Sequence, residues 1–412
     1  MQLHIRKRKI FNDPVYGFIT IPYEIIFDLI EHPYFQRLRR ISQLGLTNLV
    51  YSGGHHTRFQ HAIGAVHLMG KAIEVIRSKG HEITEEEAVG VSVAILLHDI
   101  GHGPFSHTLE RSIVTGISHE DISLLLMDEL NREFEGKLDI AIQIFKNEYP
   151  KNFLYQLVSG QLDMDRLDYL RRDSFFTGVS EGVIGVDRII KMLDVVNDEL
   201  VVEAKGIYSV EKFLVARRLM YWQVYLHKTV IAAEQMLMRI LERARQLAID
   251  GNEVPCSRSL KVFLYGNFHK SDFIKNKKLL KHFAQLDDYD VMAAIKEWQH
   301  ASDMVLSKLS KMLVKRELLK VQMQREPFPA ELKELKLTEL CAKWKISKEE
   351  AQYFVFTESI NNMAYQNQQR INLLYKDGSV KDIAEAADLL NISALSESVT
   401  KHFICFPKGS KI

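Results

Sequence analysis

The sequence contains little cysteine and no long hydrophobic run. Among 412 residues there are three cysteines, an odd number without a C-x-x-C spacing, at Cys256, Cys341 and Cys405. This pattern excludes a disulfide framework and a zinc knuckle. The longest apolar run, VGVSVAILL at residues 89–97, is about half as long as a membrane span. The basic N-terminus, MQLHIRKRKIFNDP, lacks the apolar stretch of a signal peptide. We therefore expect a cytoplasmic protein with reduced thiols and no membrane segment.

The chain also lacks an excess of charge of either sign. Lysine and arginine number 54 and aspartate and glutamate 53, for a net charge of +1. No overall field therefore attracts a polyanion, and non-specific nucleic-acid binding is not expected. A negatively charged ligand would have to bind at a local site.

Helical periodicity runs through most of the sequence and predicts a mainly α fold. The clearest helix follows Thr84, which forms a capping-box pattern with Glu87. Another helix is expected from His61 to Gly80, and a third is expected after Ser118, its N-cap. Long helices are also expected in residues 209–250 and 286–325.

Two short segments and one shift in composition interrupt the helical pattern. Hairpins are predicted at Asn197-Asp198 and around 376–378, because both segments place turn residues between apolar residues. Composition changes near residues 324–337. We therefore expect a helical domain over 1–330 and an α+β subdomain over 331–412.

One histidine, His61, lies in RFQHAIG at 58–64, and three more lie close together in LLHDIGHGPFSHTLE at 96–110. His98 and Asp99 end an apolar helix, whose C-terminus favours a nearby cation. One face of a further helix carries four charged or phenolic residues at spacing i, i+4, i+7 and i+8, namely Asp165, Tyr169, Arg172 and Asp173. Two imidazoles and two carboxylates suit a divalent ion such as Mn²⁺, Fe²⁺, Ni²⁺, Zn²⁺ or Mg²⁺. An isolated histidine would more often be a hydrogen-bonded core residue, so the ordered set of four carries the metal hypothesis.

The ordered set His61, His98-Asp99 and Asp165 resembles the metal signature of the HD-domain phosphohydrolases. Further motifs resemble the deoxynucleoside triphosphate triphosphohydrolase (dNTPase) branch of that family. They lie between residues 9 and 230 and read FNDPVYGFI, YFQRLRRISQLG, HHTRFQHAIG, HDIGHGPFSH, DMDRLDYLRRD and YLHK.

The resemblance implies a helical fold, a homo-oligomer (a dimer or a dimer of dimers) and a role for each matching residue. His61, His98, Asp99 and Asp165 would hold the metal. The triphosphate would face Arg58, His102, His119 and Arg166. His107 would be the general acid, oriented by Glu110. The remaining residues would contact the nucleoside: Gln43 and Leu44 beside the sugar, Tyr169 and Asp173 at its 3′-hydroxyl, and Tyr225 nearby.

The function that this resemblance implies is hydrolysis of a deoxynucleoside triphosphate (dNTP) to deoxynucleoside and inorganic triphosphate. One alternative is an HD-domain phosphatase or nucleotidase acting on another phosphoester. Another is a non-catalytic module that binds nucleic acid, which the complete ligand set and the neutral net charge disfavour.

Overall fold

Helices form most of the chain, as the periodicity predicts. The computed structural model describes residues 9–105, 107–114, 116–362, 370–387 and 399–409, with the backbone alone for His107, Glu110, Arg111 and Asn362. Every helix in these ranges is too short or too polar to cross a bilayer.

The first half of the chain is an N-terminal hairpin followed by helices. The hairpin pairs strands β1 (Ile10–Asp13) and β2 (Gly17–Thr20). The helices are α1 (Glu24–Glu31), α2 (Pro33–Gln36), α3 (Arg58–Ser78), α4 (Glu85–Leu97), α5 (His107–Ser112), α6 (His119–Glu133), α7 (Asp139–Phe145), α8 (Asn152–Val158), α9 (Met164–Thr177) and α10 (Val186–Met192).

A second hairpin, β3 (Leu193–Val196) and β4 (Glu199–Glu203), leads into another series of helices. These are α11 (Ile207–Met220), α12 (Lys228–Ile249), α13 (Arg258–Tyr265), α14 (Lys270–Lys275), α15 (Lys277–Phe283), α16 (Asp288–Trp298) and α17 (Met304–Val314). The remaining elements are β5 (Lys320–Gln324), α18 (Ala330–Trp344), α19 (Lys348–Ala351), β6 (Phe356–Asn362), β7 (Asn372–Leu374), β8 (Val380–Asp382), α20 (Ile383–Ala386) and β9 (Val399–Phe406).

Helix α3 lies at the centre of the fold, against α4 and α9. Its start is fixed by Thr57, whose backbone N–H donates to Gln60 Oε1 at 2.9 Å. Helix α4 begins with the predicted capping box, since Thr84 Oγ1 accepts from the N–H of Glu87 at 3.2 Å and Glu87 accepts from Thr84 in return. The residues of α4 from Gly90 to Leu97 are buried. Its C-terminus, immediately before His98, is therefore held firmly in the core.

Both predicted hairpins are confirmed. Strands β3 and β4 pair antiparallel around Asn197 and Asp198, whose φ angles of 50° and 64° match a two-residue turn with left-handed backbone. Strands β7 and β8 pair antiparallel around residues 376–378. Strand β7 also pairs in parallel with β4, which gives a sheet in the order β3-β4-β7-β8.

The two predictions of long helices are partly wrong. In residues 209–250 the helix is broken by a π-helical turn at Tyr221–Tyr225. In residues 286–325 two helices are followed by strand β5, which pairs with β9 of the C-terminal region. The C-terminal region is α+β as expected, with a sheet in the order β5-β9-β6. The domain division at residues 330 and 331 stays a prediction.

Candidate active site

Four predicted residues from three helices meet at one buried place. His61 lies on α3, His98 and Asp99 follow α4, and Asp165 lies in the first turn of α9. His61 Nε2 is 3.4 Å from His98 Nε2 and 3.1 Å from Asp165 Oδ1. His98 Nε2 is 3.5 Å from both Asp165 Oδ1 and Asp99 Oδ1. Ligand atoms of His61, His98 and Asp99 lie within 4.8 Å of one another, so that this group could hold a metal ion.

Each imidazole in this cluster has a hydrogen-bond partner on its outer side. His61 Nδ1 lies 2.8 Å from Asp168 Oδ2, and His98 Nδ1 lies 2.6 Å from the carbonyl oxygen of Ile95. Such partners fix the tautomer and orientation of a metal-binding histidine, leaving Nε2 for the ion. Both Nε2 atoms therefore face the centre of the cluster.

Asp168 is itself held by a buried arginine. Arg172 donates to Asp168 from Nε at 2.9 Å and from Nη2 at 3.0 Å, and from Nη1 to Asp13 Oδ2 at 2.7 Å. Asp13 belongs to β1, so the N-terminal hairpin is connected to His61 through the side chains of Arg172 and Asp168. Arg172 was expected on the charged face of α9 without a role, whereas Asp13 and Asp168 were not predicted; the spacing of Asp168 and Arg172 could have indicated their ion pair.

The electrostatics of the cluster favour a cation at its centre. Burial lowers the pKa of His61, but hydrogen bonds with Asp165 and Asp168 outweigh burial and raise it to about 10. Burial also opposes protonation of His98, yet Asp99 and Asp165 raise its pKa. Burial would raise the pKa of Asp165, but the two imidazoles lower it. A divalent ion would replace the imidazole protons with metal charge, and this mixed nitrogen and oxygen donor set fits such an ion.

Positive and polar side chains surround Asp99. Arg58 donates from Nη1 to Asp99 Oδ2, and His102 Nε2 lies 3.2 Å from Asp99 Oδ1. The ring of His102 stacks on that of His119, with 3.9 Å between centroids. Burial, together with the nearby Arg58, places the pKa of His102 well below its usual value, so this imidazole is neutral. Arg166 is ion-paired with Asp163, the N-cap of α9.

A cavity of about 290 Å³ lies next to Arg58. Its walls include every residue that was predicted to contact the nucleoside, namely Gln43, Leu44, Tyr169, Asp173 and Tyr225. Further wall residues were not predicted, namely Gly45, Thr47, Phe105, Thr108, Tyr221 and Glu234. The ring of Tyr169 lies 6.3 Å from that of Tyr225 and 6.5 Å from that of His61. The cavity and the histidine cluster are therefore neighbours.

Asp173 is held in place by two side chains. Its Oδ1 lies 2.7 Å from His56 Nε2, and its Oδ2 accepts from the hydroxyl of Tyr225 at 2.6 Å. The ring of His56 stacks on Phe176 at 4.6 Å. His56 had no predicted role, and its motif HHTRFQHAIG contained no signal that would have paired it with Asp173, 117 residues later.

The side chains of His107 and Glu110 lie outside the described residues, so their predicted roles stay predictions. The described part of α5 begins at His107, directly after the loop that carries His102 and Phe105.

Comparisons with known proteins agree with this geometry. The HD domain model matches residues 58–172, and the HD associated region model matches 184–254. A phosphohydrolase of known structure from Bacteroides thetaiotaomicron is 54% identical and superposes with a TM-score of 0.95, covering 98% of this chain and 100% of that one. The uncharacterized protein YwfO of Bacillus subtilis is 30% identical over 98% of this chain and 93% of its own length.

A third relative carries a named activity. It is the deoxynucleoside triphosphate triphosphohydrolase SAMHD1 homolog of Dictyostelium discoideum, which is 33% identical over 58% of this chain. The match spans 50% of that relative's length. From the matched models, these relatives and the histidine cluster, we conclude that the chain belongs to the HD-domain phosphohydrolases and resembles their dNTPase branch.

Proposed function

We propose that this phosphohydrolase cleaves dNTPs to deoxynucleoside and inorganic triphosphate. The main support is a single cavity of about 290 Å³ that includes Arg58 together with the tyrosines and Asp173. A ligand in this cavity would have its polar sugar near Asp173 and its phosphates near Arg58 and the histidine cluster. The resemblance to the dNTPase branch supports the same substrate.

In this proposal His61, His98, Asp99 and Asp165 hold a divalent ion. When bound, the ion would supply positive charge to phosphate oxygens and lower the pKa of a water molecule. Asp168 and the Ile95 carbonyl keep both imidazoles oriented toward it, as their hydrogen bonds at 2.8 Å and 2.6 Å indicate.

The triphosphate would be neutralised mainly by Arg58 and Arg166. A guanidinium presents its N–H groups in a planar fork that fits phosphate oxygens. Arg58 is only 6% exposed, and its bond with Asp99 fixes the orientation of that fork. The pKa of His102 is lowered in this environment, so we propose that it contributes hydrogen bonds instead of charge, and that His119, whose ring stacks on it, also faces the triphosphate.

Asp173 would accept a hydrogen bond from the 3′-hydroxyl of the sugar. His56 and Tyr225 hold both of its oxygens at 2.7 Å and 2.6 Å, so the carboxylate is already oriented before a ligand binds. Tyr169, Gln43 and Leu44 would enclose the sugar, and water would be excluded from this side of the cavity.

His107 would protonate the leaving group, with Glu110 orienting it. The oxygen of a water molecule would form a bond to the α-phosphorus as that water releases one proton to solvent, and the bond from that phosphorus to the 5′-oxygen would break. The proton from His107 would go to the 5′-oxygen, giving the deoxynucleoside, and the triphosphate would leave intact. A positioned general acid contributes about 10²–10⁴-fold to rate.

The test is an assay of purified, metal-loaded protein with all four dNTPs in ¹⁸O-labelled water, with chromatographic and mass analysis of the products. We expect deoxynucleoside without label and triphosphate with one labelled oxygen. His107→Ala should slow this reaction without loss of metal. Labelled orthophosphate with accumulation of dNDP would refute the proposal and favour a phosphatase acting on another phosphoester.

A further inference from the structure

Asp288 is a buried carboxylate that connects two distant segments of the chain. It is the first residue of α16 and is only 7% exposed. Its Oδ2 accepts from the backbone N–H of Ser42 at 2.8 Å, and its Oδ1 accepts from that of Phe105 at 2.9 Å. Carboxylates are rarely buried without partners, and here both oxygens have one.

The two segments that Asp288 joins form walls of the cavity next to Arg58. Ser42 immediately precedes Gln43 and Leu44, and Phe105 lines the same cavity. Asp288 itself is not among the residues that line it. Its side chain therefore connects the two wall segments through hydrogen bonds without lining the cavity itself.

The backbone at Phe105 is strained and requires such support. Its φ angle is 50°, in the left-handed region that bulky residues avoid because of steric contact with the Cβ atom. Residues in this region persist where surrounding contacts hold them, often at functional sites. The bond from its N–H to Asp288 is one of these contacts.

A second buried side chain connects the same three parts of the chain. Arg37 donates from Nη2 to the carbonyl of Ile100 at 2.7 Å and from Nη1 to that of Leu286 at 3.1 Å. Arg37 thus fixes the loop after α4 near His98 and Asp99, whereas Asp288 fixes the end of that loop near the cavity. The two hydrogen bonds of Arg37 do not involve Asp288, so we expect them to remain in its absence, although the charge of Asp288 that favours the Arg37 guanidinium is lost.

We propose that Asp288 is a positioning residue for the nucleotide site, acting through Ser42 and Phe105 on the shape of the cavity. The inference rests on the proposed function only for the identity of the ligand. We call the two hydrogen bonds from Ser42 and Phe105 to Asp288 the Asp288 clamp. This clamp joins three segments of the chain and can be measured without any substrate.

Asp288→Asn is the decisive variant, because it preserves size and replaces one carboxylate oxygen with an N–H donor. An asparagine can accept only one of the two backbone N–H groups, and its amide opposes the other. Asp287→Asn is the matched control. Asp287 pairs with the half-exposed Arg40 and caps α16 by accepting from the N–H of Tyr289 at 3.0 Å, which asparagine also does.

Hydrogen exchange tests the clamp directly. In Asp288→Asn we expect faster exchange in peptides that cover residues 40–46 and 101–105, while peptides of α3 and α9 exchange as in the wild type. The control should match the wild type at residues 101–105, and within residues 40–46 it should change exchange only next to Arg40, whose ion pair with Asp287 it removes. If neither segment exchanges faster in the folded Asp288→Asn protein, the clamp is refuted, whichever substrate the enzyme has.

Kinetics then separate positioning from a general loss of stability. With the nucleotide that the wild type hydrolyses, Asp288→Asn should lower kcat/KM by about 10²-fold, mainly through KM, and retain its metal content. A merely structural role predicts a lower kcat in proportion to the folded fraction, with KM unchanged. That result would refute the inference, and so would loss of metal together with activity. Failure to hydrolyse any dNTP would refute the proposed function and leave the exchange test valid.

Discussion

Gly64 and Asp168 approach so closely that a β-carbon on Gly64 would lie 2.0 Å from Asp168 Oδ1. Gly64 lies on α3 one turn after His61, and Asp168 lies on α9 one turn after Asp165. The missing side chain lets the two helices come together, so that Asp168 reaches His61. The geometry of the histidine cluster therefore depends on Gly64, which is not itself an expected metal ligand.

Gly64→Ala should destabilise the fold and weaken metal binding. The added methyl group would also lie 2.2 Å from Arg172 Nη2, so the buried ion pair must move. Overpacking of this kind costs about 1–3 kcal/mol. Denaturant unfolding and metal analysis would measure both effects.

Gly70→Ala is the control on the same helix, since nothing lies within 4 Å of its β-carbon position. Alanine is favoured over glycine in a helix by about 1 kcal/mol, so this variant should be as stable as the wild type or more so. Equal stability and metal content in both variants would contradict the close packing at Gly64.

Asp168→Asn should lower metal affinity although Asp168 is not expected to bind the ion. It removes the charge that fixes His61 at 2.8 Å, and outer partners of this kind are worth about 10–100-fold in affinity. Competition with a metal-binding dye would give the affinity. Asp187→Asn serves as a control, because Asp187 pairs with Lys71 on the surface and its side chain is 60% exposed. Unchanged affinity in Asp168→Asn would remove Asp168 from the metal site.

The local features of the fold could be predicted from the sequence, because their partners are close in the chain. The capping box of Thr84 with Glu87 and the turn at Asn197-Asp198 each involve residues within a few positions. Strand β5 was taken for helix because its partner, β9, begins at Val399, far along the chain. Nothing near residues 320–324 indicates that pairing.

The candidate site divides in the same way. Motifs named residues that the structure brings together in the histidine cluster and in the cavity wall, because chemistry requires particular side chains at fixed spacing. The bonds from Asp168 to His61, from His56 to Asp173 and from Asp288 to Ser42 could not be predicted, since each joins residues that are far apart in the chain. Asp288 and Ser42, for example, are 246 positions apart. Such hydrogen-bond partners can be identified only from the tertiary structure, which brings distant helices together.

Stability at low pH should depend on Asp303, the N-cap of α17, which pairs with Arg243 of α12. Burial raises its pKa, but hydrogen bonds from Arg243 and from the N–H of Leu306 outweigh burial and lower it. A carboxylate with a lowered folded-state pKa stabilises the fold above its unfolded pKa of about 4, and this stabilisation is lost as pH falls through the folded value.

Asp303→Asn should therefore be less stable than the wild type near pH 7, by about 1 kcal/mol, because a hydrogen bond to a charged group is worth about 1.5–3 kcal/mol and solvent screening reduces this at a partly exposed pair. Asparagine still caps α17, so the change isolates the ion pair with Arg243. Urea unfolding at several pH values would show the difference shrinking below pH 4. A difference that stays constant down to pH 2 would contradict the assigned pKa direction.

The protein should assemble as a homo-oligomer, a dimer or a dimer of dimers, as its resemblance to the dNTPase branch implies. Exposed apolar side chains such as Phe18, Phe175 and Val183 are 76%, 56% and 54% exposed in the single chain and are available for such contacts. Light scattering at micromolar concentration should give a mass of two or four chains. A mass of one chain at every concentration tested would refute this expectation.

Tyr225→Phe should weaken the recognition of the sugar. The variant removes the hydroxyl that donates to Asp173 Oδ2 at 2.6 Å, while His56 continues to hold Oδ1 at 2.7 Å. Asp173 would then be less firmly oriented toward a 3′-hydroxyl. A site that hydrogen-bonds a substrate hydroxyl rejects analogues without it by about 10⁴–10⁵-fold.

We therefore expect the wild type to have a far higher kcat/KM for a dNTP than for the matching 2′,3′-dideoxynucleotide. In Tyr225→Phe the ratio of these two kcat/KM values should fall by roughly 10-fold, the equivalent of a hydrogen bond of about 1.4 kcal/mol. The change should fall on the dNTP, whose KM rises, because the dideoxynucleotide never made the contact. Metal content should stay the same, since Tyr225 lies outside the histidine cluster. Tyr289→Phe, at a residue 67% exposed, is the control and should leave the ratio unchanged. If Tyr225→Phe slows the hydrolysis of both nucleotides equally, Tyr225 contributes to packing in the cavity and does not orient Asp173 toward the 3′-hydroxyl.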